Sequence, residues 1–254
     1  MTETTPTLWP NWTLPYSIEL KFQGSAAASA FKSLERRVAE RRELAREVAA
    51  QIRDGVPPLQ LEQEAFEAKV RAIANAVGPI LGDIQSFLAA VGVIESILWP
   101  SEARQRRESD GEVQARVERG RAIRDLLGVE NTSPLQTTNR GEDDARGGLL
   151  HFDEMIDGFI REGGAGKYVS LEIGSAAERT AVLRAGAIRW LDEDTLELWV
   201  YGRHRNLREV ETALRATIGK IEMRGNVQWA RAEGPPSATP RAPSIAFGAD
   251  IERR

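Results

Sequence analysis

Ile80-Leu81-Gly82-Asp83-Ile84-Gln85-Ser86-Phe87-Leu88-Ala89-Ala90-Val91-Gly92-Val93-Ile94-Glu95-Ser96-Ile97-Leu98 is the most apolar stretch of the chain. Leu81, Ile84, Phe87, Leu88, Val91, Ile94 and Leu98 recur at steps of three and four, the period of an α-helix. The run is long enough to cross a bilayer, but Asp83, Gln85 and Glu95 interrupt it. It therefore reads as the central helix of a bundle, not as a membrane span, and Trp99-Pro100-Ser101 stops it.

Working toward the N-terminus, Leu61, Phe66, Val70, Ile73 and Val77 mark a helix from about Leu59 to Val77, which Gly78-Pro79 kinks or ends. Gly55-Val56-Pro57-Pro58 is a break before it. From Ala26 to Asp54, Leu34, Val38, Ala45, Val48 and Ile52 keep helical spacing with one interruption at Arg41. The alternating Glu and Arg residues between them predict a salt-bridged, solvated outer face in preference to an RNA-facing strip. Tyr16-Ser17-Ile18-Glu19-Leu20-Lys21-Phe22 alternates apolar and polar side chains, the pattern of a half-buried strand, and Gly24-Ser25 ends it. Trp9, Pro10, Trp12 and Pro15 suit an extended arm with aromatic anchors.

Toward the C-terminus, the basic turn Arg104-Gln105-Arg106-Arg107 precedes a helix over Gly111–Leu127, which Gly128 caps. A loop follows over residues 129–141. Glu142-Asp143-Asp144 then suits the first turn of a helix that ends near Arg161. Gly163-Gly164-Ala165-Gly166 lacks the Lys-Ser/Thr of a phosphate-binding loop and reads as a flexible link. Lys167–Ile173 alternates like a strand. Residues 187–202 read as a hairpin turning at Asp192-Glu193-Asp194, with Trp190 and Trp199 facing the core. Leu207, Val210, Leu214 and Ile218 mark a helix that Asn206 caps. His204 falls in the turn between the hairpin and this helix, where solvation is its ordinary role. The expected organisation is an arm with a short strand (1–25), a helical bundle (26–162), a small α+β unit packed on it (167–225) and a disordered Pro-, Ala- and Ser-rich tail (233–254). The fold class is mainly α with an appended β-hairpin and helix.

Composition narrows the chemistry. The chain has 254 residues and a net charge of −4, with a pI near 5.5, so it lacks the basic footprint of a protein that coats nucleic acid. It has no cysteine and only two histidines. Disulfides and thiolate metal sites are excluded, no HExxH spacing exists, and neither metal nor cofactor is expected. The first residues lack the basic start and apolar run of a signal peptide, so a cytoplasmic location is the default expectation.

Ala145-Arg146-Gly147-Gly148-Leu149-Leu150-His151-Phe152-Asp153-Glu154-Met155-Ile156-Asp157 holds one of the histidines, with an arginine five positions upstream. Together with Pro134-Leu135 and Asn139-Arg140 before it, and the hairpin and helix after it, this run resembles a bacterial group of HEPN-like proteins. The resemblance spans roughly Leu59 to Ile218. It implies an antiparallel helical bundle, a homodimer, and an Arg–x4–His pair of the kind that cleaves RNA without metal. Gly147 and Gly148 depart from the family, whose active members carry a polar residue after the arginine. Leu149-Leu150 also replaces the group's Phe-Glu.

On this resemblance Arg146 would hold the scissile phosphate, and His151 would move the proton of the RNA 2′-hydroxyl or of the leaving 5′-oxygen. The setting it suggests is a toxin or a mobile-element defence system. The alternative expectation comes from another class. In it the bundle is a catalytically inactive scaffold that binds a protein partner through its charged first helix or its tryptophan arm, with His151 and Arg146 as ordinary helix residues.

Overall fold

The computed structural model describes residues 14–53, 60–105, 108–136, 157, 161, 171–175, 177, 188–200 and 203–232, apart from the side chains of 60–62 and 224–232. Among them the chain is mostly helical with one small sheet. Its elements are α1 (Leu14–Arg53), α2 (Gln60–Asn75), α3 (Val77–Leu98), α4 (Asp110–Leu127), β1 (Glu172–Gly174), β2 (Arg189–Asp192), β3 (Glu197–Val200), β4 (Arg203–Asn206) and α5 (Leu207–Ala232).

The half-buried strand expected at Tyr16–Phe22 is absent. These residues are helical, and α1 is a single 40-residue helix, about 60 Å long at 1.5 Å per residue. Pro15 sits in its first turn, where a missing N–H costs nothing. The alternation that suggested a strand arises from two helix faces. Leu20 lies in the core and Tyr16 packs against it, whereas Ile18 and Phe22 point to solvent. Gly24 does not end the element. A side-chain carbon there would lie 2.5 Å from Cδ1 of Ile218, so glycine lets α5 approach α1.

α2 and α3 are nearly one helix. Ala76 between them keeps helical angles, and its N–H donates to the Ala72 carbonyl at 3.0 Å. Pro79, which has no N–H, interrupts the ladder without turning the chain. The pair runs antiparallel to α1, as its contacts show in sequence: Lys69 to Glu47 at 2.6 Å, Asp83 to Arg37 at 2.9 Å, and Phe87 against Phe31 with ring centroids 5.3 Å apart. The stretch Gln63–Leu98 is long and apolar enough to cross a membrane by composition. Its α3 portion, however, buries Ile80, Ile84, Phe87, Leu88, Val91, Ile94 and Leu98 inside the protein.

Ser109 caps α4 through a reciprocal box with Glu112, and Gly128 ends it in the left-handed conformation expected of a glycine cap. α5 returns antiparallel to α1: Arg208 meets Glu35 at 2.5 Å, and Ile218 meets Gly24. Asn206 Oδ1 accepts the N–H groups of Arg208 and Glu209, as expected of the cap.

The strands lie in the order β1-β2-β3-β4. β1 is parallel to β2, and the β2–β3 and β3–β4 pairs are antiparallel. The hairpin expected at Asp192–Asp194 is present. The buried Asp192 carboxylate accepts the N–H groups of Asp194 and Thr195, both at 2.8 Å. Leu196 follows at φ 55°. That conformation is unfavourable for a branched residue and is offset by the near-complete burial of its side chain. His204 belongs to β4 and not to a turn. Ile173, Leu191, Leu198 and Val200 of the sheet join Leu20, Phe31, Phe87, Ile123 and Leu214 of the helices in one core.

Charges on α1 hold the other elements in register. Besides Glu35, Arg37 and Glu47, Arg41 pairs with Glu193 at 3.5 Å, and Arg42 pairs with Asp194 at 2.6 Å. The face expected to be merely solvated is therefore used partly for docking. Exposure separates the two clamps on the hairpin turn: the Arg41 and Glu193 side chains are 12% and 17% exposed, whereas Asp194 is 56% exposed. Glu193→Ala is expected to cost about 1–2 kcal/mol in urea unfolding, because it leaves a largely buried guanidinium without its carboxylate. Asp194→Ala is expected to cost less than about 0.5 kcal/mol. Equal losses would contradict this assignment.

Gly120 supplies a second check. Alanine within a helix ordinarily gains about 1 kcal/mol over glycine, but a Cβ at Gly120 would meet the Pro100 ring and lie 2.9 Å from the Leu98 carbonyl oxygen. Gly120→Ala is therefore expected to lower stability by about 1–2 kcal/mol, read as a fall in the urea midpoint.

Candidate functional site

Arg146 and His151 lie outside the described residues, as do Asn139-Arg140, the glycine link 163–166, the arm 1–13 and the tail 233–254. What is described is the frame on either side of the run. On its N-terminal side the loop after α4 is anchored at several points. Leu135 is fully buried and Gln136 nearly so. The Gln136 N–H donates to the Ser133 carbonyl at 2.9 Å, and Trp99 Nε1 donates to Asn131 at 3.3 Å. The Pro134 carbonyl accepts from the Arg205 guanidinium of β4, which ties the loop to the sheet. Arg205 is itself buried. On the C-terminal side Asp157 and Arg161 are helical and exposed, and Arg161 Nε donates to the Asp157 carbonyl at 3.2 Å. A helix was expected to end near Arg161.

The candidate Pro134-Leu135 element is thus a packed structural anchor. Its role in holding the chain was not legible in the sequence, because Arg205 lies 71 residues away. Glu95, one of the polar residues of the apolar run, is 2% exposed within α3.

Other clusters are clear of the run. The basic turn before α4 is built around Glu108. Arg116 grips that carboxylate with two hydrogen bonds, both at 2.9 Å, and also donates to the carbonyls of Ser101 and Ala103. The Gln105 N–H adds a bond to the same carboxylate at 3.0 Å. These contacts orient Arg104 and the loop before α4, a structural role. Arg124 lies over the Trp99 ring, 5.5 Å from its centroid, and donates to the Leu98 carbonyl; burial pushes its pKa down. On the sheet, exposed His204 stacks on Trp199 at 4.7 Å. Trp190, opposite Trp199 in the register, is fully buried, so the two tryptophans expected to face the core differ. No group of three His, Asp or Glu side chains that could hold a metal occurs among the described residues.

Two surface features had no counterpart in the sequence reading. A groove of about 620 Å³ runs between α1 and α5, floored by Gly24, Ala28, Phe31, Leu214 and Ile218. Beside it Leu14, Ile18 and Phe22 form an exposed apolar ridge, 54%, 60% and 67% exposed. The signal that could have revealed the ridge is the i, i+4, i+8 spacing of these three residues.

No family model, no curated protein and no solved structure matches the chain.

The Glu108 clasp has a pH signature. The Arg116 hydrogen bonds, then that of the Gln105 N–H, hold the Glu108 carboxyl below its ordinary value of 4.5. An acid so lowered stabilises the folded loop fully above the ordinary value, and the contribution is lost as pH falls through the lowered one. The Gln105 amide resonance should therefore titrate with a midpoint below 4.5. That titration should be absent in Glu108→Gln.

Proposed function

We propose that the chain is an RNA-directed protein of HEPN-like type, a metal-independent endoribonuclease whose chemistry is carried by Arg146 and His151. One observation carries the reading. The run Arg146-Gly147-Gly148-Leu149-Leu150-His151-Phe152-Asp153-Glu154 falls after α2, α3 and α4 and before a hairpin followed by a helix, the order the resemblance implies over its span. Pro134-Leu135 before the run, which the resemblance also carries, supports it further.

In this reading His151 takes the proton of a 2′-hydroxyl and the freed oxygen attacks the adjacent phosphorus. The bond to the 5′-oxygen breaks, and that oxygen leaves with a proton from the histidine of a second copy. Arg146 neutralises the charge that gathers on the phosphoryl oxygens. The products are a 2′,3′-cyclic phosphate and a 5′-hydroxyl, and DNA is inert because it lacks the attacking group. A toxin or defence role in the cytoplasm is the setting proposed with it.

A second reading, an inactive scaffold that binds protein, is favoured by the exposed ridge on α1. The charged part of α1 contributes less to it, since Glu35, Arg37, Arg41, Arg42 and Glu47 are engaged within the chain.

The test is incubation of the purified protein and a folded His151→Ala variant with mixed RNA and with DNA of the same sequence in EDTA. RNA cleavage that leaves cyclic phosphates, is lost by at least about 100-fold in the variant and spares DNA is expected. Equal cleavage by both proteins would remove His151 from the chemistry.

A further inference from the structure

The groove between α1 and α5 is open because small residues, Gly24 and Ala28 on α1 and Gly219 on α5, stand where larger side chains would fill it. Its volume of about 620 Å³ lies in the range of sites that enclose a small ligand. Phe31, Leu214 and Ile218 give it an apolar floor. Glu35 and Arg215 on its rim are already paired, with Arg208 and Glu211. Lys32 stands toward one end and Glu222 toward the other, and among the described residues neither makes an ion pair or a side-chain hydrogen bond. The contacts Gly24–Ile218 and Glu35–Arg208 fix the register of the two helices. By that register the two free charges lie about 17 Å apart along the helices. The groove therefore offers an anion, an apolar floor and a cation in that order, read back along α5.

The chain carries the complementary order. After α5, Ile245 and Phe247 are the first large apolar side chains, with Arg241 before them and Asp250 after them. Their reach suffices. α5 ends at Ala232, about 21 Å along the axis beyond Ile218. Residues 233–244 include Pro235, Pro236, Pro240 and Pro243, and a Pro-rich chain advances about 3.1 Å per residue, so Ile245 can lie up to roughly 40 Å from Ala232. On the same measure Arg241 and Asp250 can span up to about 28 Å, more than the free charges require. The arm before α1 has no lysine or arginine over residues 1–13 to meet Glu222.

We propose that residues 241–250 dock in the α1–α5 groove of their own chain, with Ile245 and Phe247 over Ile218 and Leu214, Arg241 facing Glu222 and Asp250 facing Lys32. A tethered segment meets its site at an effective concentration in the millimolar range, so it needs neither the area nor the affinity of a separate molecule. An outside peptide that uses the groove sees only the undocked molecules, and its apparent affinity falls by that fraction. The inference does not rest on the ribonuclease reading, and its test has no RNA readout.

Because the chain has no cysteine, Ala249→Cys gives the full-length protein a single site for a nitroxide label. The label should broaden the amide resonances of Gly24, Ala28 and Gly219. It should not broaden them in unlabelled molecules mixed with labelled ones. Phe247→Glu, and separately Arg241→Glu, should weaken the broadening by about threefold or more. Arg241→Glu combined with Glu222→Arg should restore it, which a loss of folding could not do. Absence of broadening at the groove, broadening that passes only between molecules, or broadening indifferent to these substitutions would overturn the proposal.

Discussion

Antiparallel packing of α1 on α3 is the contact from which the other elements take their positions. Leu20, Ala27, Phe31, Leu34 and Val38 lie along one side of α1 and share a core with Ile80, Ile84, Phe87 and Val91. Because α1 is about 60 Å long, its buried side serves several neighbours in turn. α4 reaches its start through Tyr16, whose ring carries the Arg119 guanidinium at 4.8 Å. α5 lies beside its first half, the hairpin turn meets it at Arg41 and Arg42, and α2 meets it at Glu47. A shorter first helix could not collect all four.

Apolar burial supplies most of the stability of such an arrangement, but it is poorly directional. Register comes from charge. Arg37–Asp83, Arg41–Glu193 and Glu35–Arg208 each join α1 to a different element. A one-turn slip of the hairpin turn would part Arg41 from Glu193, 12% and 17% exposed, which costs more than the pair itself gains. Surface pairs such as Arg36–Glu40, with both side chains 59% exposed, impose no such penalty and contribute little.

Much of this was legible in the sequence. The α3 period, the Gly128 cap, the Asp192–Asp194 hairpin and the Asn206 cap are local signals, and each stands where the residues put it. The failures have a common physical origin. Tyr16 to Phe22 alternates because inner and outer faces of a helix are both apolar there, and a period-two pattern over seven residues cannot separate that case from a strand. The charges of α1 looked solvated because their partners lie far along the chain, up to 173 residues away for Glu35 and Arg208. The Pro134 carbonyl bond to Arg205 was invisible for the same reason. The tryptophans of the hairpin, identical in pattern, differ in burial: Trp190 is sealed, and Trp199 is half-buried with His204 stacked on it. The site itself, Arg146 and His151, falls among residues that are not described, so its legibility rests on the run's spelling.

That spelling still constrains how the pair would have to work. Two adjacent glycines after Arg146 cost a helical turn about 1 kcal/mol each against alanine, so intrinsic propensity would hold the arginine weakly. Arg146 and His151 are also five apart, about 140° around an ideal helix, which places them on different faces of a single regular helix. Both facts move the burden of positioning from local structure to tertiary contact. The nearest described anchor before the run is firm: Leu135 is sealed in the core and the Pro134 carbonyl is held by a buried arginine of the edge strand. A segment with weak local preference is one whose geometry can be completed by what it binds. On the proposed reading, an RNA phosphate bridging arginine and histidine would supply such completion by charge.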